Sequence, residues 1–288
     1  MTVALVTDST AYLPVDLVEH QGIRVVPLHV ILGGQQFSEG VDVTTAQVAA
    51  ALRKFTPVST SRPSPQAFLD AYESAAAEGA DAVVSVHISS DMSGTVESAA
   101  LGASQSPIPV EVVDSRSMGM AMGYAVLSAA LAASQGLDAK AVAAVAQSRA
   151  DAATVIFYVD TLEYLRRGGR IGVASALLGS ALAIKPLLAL SDGHIAAIEK
   201  VRTSLRALSR LEELALQAAE AAGESGVDIA VHHLDSQTRA TDLVERLRAR
   251  VASTTTVVLV ELGAVVGAHV GPGTIAVAVS PRPFAGQG

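Results

Sequence analysis

Val3-Ala4-Leu5-Val6-Thr7-Asp8-Ser9-Thr10 runs four apolar residues straight into a polar turn. A short unbroken apolar run bounded by turn residues reads as a strand buried on both faces, the pattern of a parallel sheet. Pro14 then opens a helix and Gly22 closes it, in keeping with proline at the first helical position and glycine after the last. The same rhythm repeats outward from there. Strands are predicted at Val25–Val26, Ala82–Val86, Val110–Val113 and Val155–Val159, with helices at Thr45–Phe55, Pro65–Ala77, Thr95–Ala103, Met120–Ser134 and Ala139–Ala150. Strand and helix in alternation predict a parallel sheet covered on both faces.

The second half changes rhythm. Two closely spaced helices are predicted at Thr161–Arg167 and Ala174–Leu182, then strands at Lys185–Leu190 and Ala196–Val201. A long helix at Leu205–Ala222, a strand at Val227–Val231, a helix at Thr238–Arg250 and strands at Thr255–Glu261 and Thr274–Val279 complete the chain. The expected fold class is α/β with two domains: an N-terminal parallel-sheet α/β/α domain over residues 1–157 and a C-terminal mixed α/β domain over residues 158–288. No Pro/Gly-rich linker marks the boundary, so a tight cleft between domains is expected.

Composition narrows the function. The chain has 288 residues, half of them hydrophobic and 17% charged, which supplies a large core and excludes overall disorder. Five Phe, five Tyr and no Trp leave that core to Ala, Val, Leu and Ile. Such aliphatic walls suit a flexible hydrocarbon better than a flat ring. A net charge of −8, with no long basic cluster, argues against nucleic acid, which needs a positive face to collect phosphates. The absence of cysteine excludes disulfides, thiolate metal sites and a Cys nucleophile. Met1 to Thr10 lacks the basic start and apolar stretch of a signal peptide. The longest uncharged interval, Ser117 to Leu137, is rich in Gly, Ser, Met and Ala and reads as a buried helix preceded by a loop. A cytoplasmic location is expected.

Several motifs carry candidate chemistry. In Thr60-Ser61-Arg62-Pro63-Ser64-Pro65, Ser64 reads as a helix N-cap before Pro65, which leaves Thr60 and Ser61 as spare hydroxyls at a loop tip. Ser89-Ser90-Asp91-Met92-Ser93-Gly94-Thr95 stands at the carboxyl end of a strand and the start of a helix, where parallel sheets bind ligands; it reads equally as a serine-rich cap. Arg166-Arg167-Gly168-Gly169-Arg170-Ile171-Gly172 is either a basic loop for carboxylate or phosphate or a solvated helix end. His269-Val270-Gly271-Pro272-Gly273-Thr274 contains G-x-G-x-x-A, yet too little chain follows for a dinucleotide fold, so it reads as a turn into the last strand with His269 in a small-residue loop. A lone histidine is more often structural than functional. Adjacent His232 and His233 on a strand point to opposite faces, which argues against a shared metal. Walker A, G-x-S-x-G and H-E-x-x-H motifs are all missing.

Together these stretches resemble the DegV family of bacterial fatty-acid-binding proteins. The resemblance is carried by Val6-Thr7-Asp8-Ser9-Thr10, Thr60 to Pro65, Ser93-Gly94-Thr95 with Ser98-Ala99, and Val113-Asp114-Ser115-Arg116. It continues through Asp160-Thr161-Leu162-Glu163-Tyr164-Leu165-Arg166-Arg167-Gly168-Gly169-Arg170-Ile171, Lys185-Pro186, Val201-Arg202-Thr203 and Gly267 to Gly273. These occur in the family's order over almost the whole chain, and the long central run is highly specific. Arg62 departs from a frequent Gln and Val270 from a frequent Thr. The resemblance implies one long-chain fatty acid held between the two domains, with no other cofactor, no metal and no catalytic residue. It implies presentation of the carboxylate to a separate dihydroxyacetone-kinase-like, ATP-dependent fatty acid kinase for phospholipid synthesis. By position it places Thr60, Ser93 and His269 at the carboxylate with Ser61 and Gly94 beside them, and Arg170 and Arg202 near the mouth, for kinase docking or the transferred phosphoryl group. Such a ligand leaves room for transient membrane contact during exchange. Two other readings stand beside this one: a lipid sensor or transport protein, and a lipid-modifying transferase using His269 as base. The second lacks a nucleophile–base–orienter set in the sequence.

Overall fold

The computed structural model describes residues 1–177, 184–223 and 226–283. The first half runs β1 (Val3–Asp8), α1 (Val15–Gln21), β2 (Arg24–Val26), β3 (His29–Leu32), β4 (Gln35–Ser38), α2 (Thr45–Arg53), β5 (Val58–Ser61), α3 (Pro65–Ala77), β6 (Ala82–His87), α4 (Thr95–Ala103), β7 (Val110–Asp114), α5 (Met120–Ser134) and α6 (Ala139–Ala152). The second runs β8 (Thr154–Tyr158), α7 (Glu163–Arg167), β9 (Lys185–Ser191), β10 (His194–Val201), α8 (Ser204–Ala221), β11 (Val227–His233), α9 (Gln237–Arg250), β12 (Thr256–Glu261), α10 (Ala264–Val270) and β13 (Ile275–Pro281). Local chemistry sets the helix starts. Ser64 accepts the N–H of Ala67 and Pro65 follows it, as the sequence predicts, while Gly22 closes α1 in the left-handed region at φ 61°.

Three sheets result. The order β2-β1-β6-β7 is wholly parallel. The order β10-β9-β8-β13-β11-β12 is mixed, parallel only between β11 and β12. A small antiparallel sheet, β4-β3-β5, completes the set. Helices α3 and α4 cover one face of the parallel sheet; α5 and α6 fill the space between its other face and the mixed sheet, whose far side carries α8 and α9. The layering is therefore helix, sheet, helix, sheet, helix. Its middle layer explains the composition of α5: nearly every residue from Met120 to Ala132 is buried, so the helix is apolar all round. Among the described residues, no helix is long and apolar enough to cross a membrane.

Two expectations change at this level. A division at 157/158 would cut β8, which pairs with β9 and β13 in the mixed sheet; sheet membership puts the change at Ala153, between α6 and β8. The helix expected at Ala174–Leu182 is a 3-10 helix over Gly172–Leu177, and its remainder lies outside the described residues. The small sheet was not anticipated at all, although Gly33-Gly34 between His29-Val30-Ile31-Leu32 and Gln35 signals a two-residue hairpin. Both glycines have positive φ, 57° and 88°, as a type I′ turn requires.

Candidate functional site

A cavity opens where the carboxyl ends of the parallel strands face the mixed sheet, beside α5 and under α10 and the small sheet. Its volume is about 90 Å³, inside an envelope of about 890 Å³ that includes the open mouth. Most of the wall is aliphatic. Ile88 and Met92 come from the loop after β6, Val155 and Leu190 from neighbouring strands of the mixed sheet, and Val266 and Val270 from α10. Polar groups are few: Thr60, Ser61, Arg62, Ser93, Arg170, His232, His269 and Thr274.

The loop bearing Met92 and Ser93 is anchored by a sealed network. The Asp8 carboxylate accepts the Ile88 N–H at 3.0 Å and meets His87 Nδ1 at 3.1 Å; His87 Nε2 meets Ser85 Oγ at 2.6 Å, which meets the Tyr72 hydroxyl at 2.9 Å. Asp8, His87 and Ser85 are completely buried. The order Ser–His–Asp resembles a hydrolytic triad, but with no opening to solvent it meets no substrate. It ties the carboxyl ends of β1 and β6 together instead.

Thr60 and Ser61 do not stand at a loop tip. They end β5, which gains its place by pairing with β3, Thr60 opposite Val30. His269 likewise occupies the last turn of α10, not a loop. The structure brings these two distant residues together: Thr60 Oγ1 lies 2.8 Å from His269 Nε2. The other ring nitrogen, Nδ1, is buried without a partner. Burial first, and the Arg170 charge second, push the His269 pKa down to about 4, so the imidazole is neutral at pH 7. It acts as a hydrogen-bonding group, not as a cation. Gly168 packs directly on it, and a Cβ there would overlap Nδ1.

The remaining expected residues divide by place. Ser93 Oγ shares a 2.8 Å bond with Thr95 Oγ1 at the start of α4 and lines the cavity. Gly94 sits just behind as the residue preceding α4; its carbonyl accepts from Arg62 Nη1 at 3.1 Å, and Arg62 also pairs with Glu97. Arg170 lines the cavity with its guanidinium held by two carbonyls, Met92 at 3.1 Å and Gly168 at 2.7 Å. Arg202 is different: it is exposed between β10 and α8 and is not part of the cavity wall. His232, weighed earlier only as a metal ligand, faces the cavity with its Nε2 accepting the Met120 N–H at 3.1 Å, and burial holds its pKa near 4. Among the described residues, no group of three His, Asp or Glu is placed to hold a metal.

The two sheets thus frame a mostly aliphatic cavity with a neutral hydroxyl–imidazole pair in its wall. The chain belongs to the DegV family: the family model, described as an uncharacterised protein family, matches residues 2–282. A DegV domain-containing protein of Streptomyces coelicolor is 50% identical over 280 residues, covering 97% of this chain and 99% of the relative. One from Mycobacterium tuberculosis is 38% identical, covering 97% of each. Among solved structures, a Thermus thermophilus DegV family protein described as binding fatty acid superposes with a TM-score of 0.90 at 35% identity, covering 98% of this chain and 100% of that one. The Bacillus subtilis DegV, described as a fatty-acid-binding protein, gives 0.89 at 30% identity with the same coverage.

Proposed function

We propose that this protein binds one long-chain fatty acid with its tail in the aliphatic cavity and its carboxylate at Thr60, Ser93 and His269, with Ser61 and Gly94 alongside. The observation that carries the reading is the Thr60–His269 pair set into a mostly aliphatic wall. The fatty-acid-binding relatives from Thermus thermophilus and Bacillus subtilis, similar over the whole chain, support it.

The energetics divide between tail and head. Burying about 14 methylenes at roughly 0.8 kcal/mol each contributes on the order of 11 kcal/mol gross. Each charge-assisted head-group bond adds only about 1.5–3 kcal/mol. The tail thus supplies most of the affinity, and the polar pair decides which end faces out. A neutral imidazole and hydroxyls hold a carboxylate without neutralising it, which leaves an oxygen available as a nucleophile.

The protein then presents that oxygen to a separate dihydroxyacetone-kinase-like fatty acid kinase. The carboxylate oxygen attacks the γ-phosphorus of ATP, the bond to the β-phosphate oxygen breaks, and acyl phosphate and ADP result. Arg170 and Arg202 serve the phosphoryl group or the docking of the kinase, since such transfers need positive charge on the phosphoryl oxygens. The chain itself is an accessory subunit acting in the cytoplasm, in contact with membranes only while lipid exchanges.

The test is reconstitution. Fatty-acid-loaded protein, the kinase and ATP are incubated with hydroxylamine, which traps acyl phosphate as the hydroxamate. Product that depends on this chain supports the reading. Product with another carrier but never with this one would leave a lipid sensor or transport protein.

A further inference from the structure

Helix α10 is short, and it carries the histidine of the head-group pair in its last turn. Its first turn has no cap from its own sequence: Gly263 precedes it and offers no side chain. The first N–H groups of a helix need outside acceptors, and a carboxylate there also meets the positive end of the helix dipole. That acceptor comes from the other half of the molecule. Glu39, between β4 and α2, accepts the Val265 N–H through Oε1 at 2.7 Å, a bond spanning 226 residues. Its Oε2 accepts the Ser9 hydroxyl at 2.5 Å, and Ser9 Oγ in turn accepts the Leu28 N–H at 3.0 Å. Glu39 is only 5% exposed. The fit is tight enough to require glycine at 263, where a Cβ would overlap Glu39 Oε1. Thr45 Oγ1 adds a second tie, donating to the Leu262 carbonyl at 3.0 Å.

Val265 and His269 are four residues apart, so they lie on one helix face a single turn from each other. Whatever fixes the Val265 N–H fixes the turn of backbone that carries the imidazole. The opposite end of that imidazole is bonded to Thr60, which belongs to the same half of the chain as Glu39. We infer that Glu39 is the positioning residue of the head-group site: by capping α10 from across the domain boundary, it sets the place of His269 and its bond with Thr60. The inference rests on the head-group site proposed above only for its consequence on ligand binding, not for the placement of the imidazole.

The experiment uses the full chain with 15N-labelled histidine. Side-chain resonances are read first without ligand, and the His269 signals are assigned by their loss in His269→Gln. Fatty-acid affinity is then measured on the same samples. Glu39→Ala is expected to shift the His269 resonances and to weaken fatty-acid binding about tenfold. Glu39→Gln keeps an oxygen for the Val265 N–H and is expected to restore both to near wild type. Leu247→Ala, on the buried face of α9 away from the cavity, controls for a general loss of stability. It is expected to lower the melting temperature while leaving the His269 resonances and the affinity within about twofold. Unmoved His269 resonances in Glu39→Ala would overturn the inference, as would Leu247→Ala reproducing both changes. If wild-type protein binds no fatty acid, the reading of function fails, and the ligand-free resonances still decide the role of Glu39.

Discussion

His269 and Thr60 act as a pair because each limits the other. The ring is stripped of water on most sides and stands near the Arg170 charge, so it stays neutral, and its one bonded nitrogen is held by the Thr60 hydroxyl. This has a consequence for stability against pH. His269 and His232 both have folded pKa values near 4, below the ordinary value of 6.5. Above pH 6.5 neither the folded nor the unfolded form takes up protons at these rings. Below it the unfolded chain does and the folded one does not, so stability falls as pH drops from 6.5 toward 4 and then levels with respect to these groups. Shifts of this size correspond to on the order of 3 kcal/mol per ring. Urea midpoints across that range are expected to fall, and His269→Gln is expected to flatten the slope; an unaltered slope would mean the ring titrates freely. At the same scale, Thr60→Ala and Ser93→Ala are expected to reduce the fatty acid retained through purification several-fold. Retention and phosphorylation equal to wild type would remove both from the site.

Among the elements, α10 and β5 decide whether the site exists. Gly168→Ala would drive a methyl into the His269 ring, so the imidazole must shift off Thr60. A loss of about 1–3 kcal/mol of stability is expected from such overpacking, together with weaker fatty-acid binding, as read by denaturant melts and a binding titration. These elements are also where sequence and structure part. The helices Pro65–Ala77, Thr95–Ala103 and Met120–Ser134 are legible to the residue: Ser64 and Pro65 mark the start of the first, the serine-rich turn after β6 leads into the second, and a long uncharged apolar stretch gives the third. α10 is not, because Ala264-Val265-Val266-Gly267-Ala268 is too short and too rich in valine and glycine to display a helical period. β5 is not, because Val58 to Ser61 is polar and becomes a strand only through its partner β3. Of the site, Thr60, Ser93 and His269 are recognisable through the family's motifs, whereas Glu39 is not. A lone acidic residue next to Gly40 carries no local signal, and its role arises from a contact with a helix more than two hundred residues away.

Over the whole molecule, one helical layer serves two sheets, and the cavity is the part of that gap which α5 and α6 do not fill. Arg170 lies at this scale because it links regions: its guanidinium is fixed by the carbonyls of Met92, from the first half, and Gly168, from the second. Arg170→Ala is expected to leave fatty acid bound while lowering kinase-dependent hydroxamate formation at least tenfold. Loss of binding alone would put the arginine with the carboxylate donors instead. The most direct measurement of the central claim is the lipid content of the protein itself. Organic extracts of the purified chain, quantified by mass spectrometry against protein concentration, are predicted to hold close to one fatty acid per chain, and markedly less from His269→Ala. Extracts free of fatty acid, from a protein that also takes none up when it is supplied, would contradict the account.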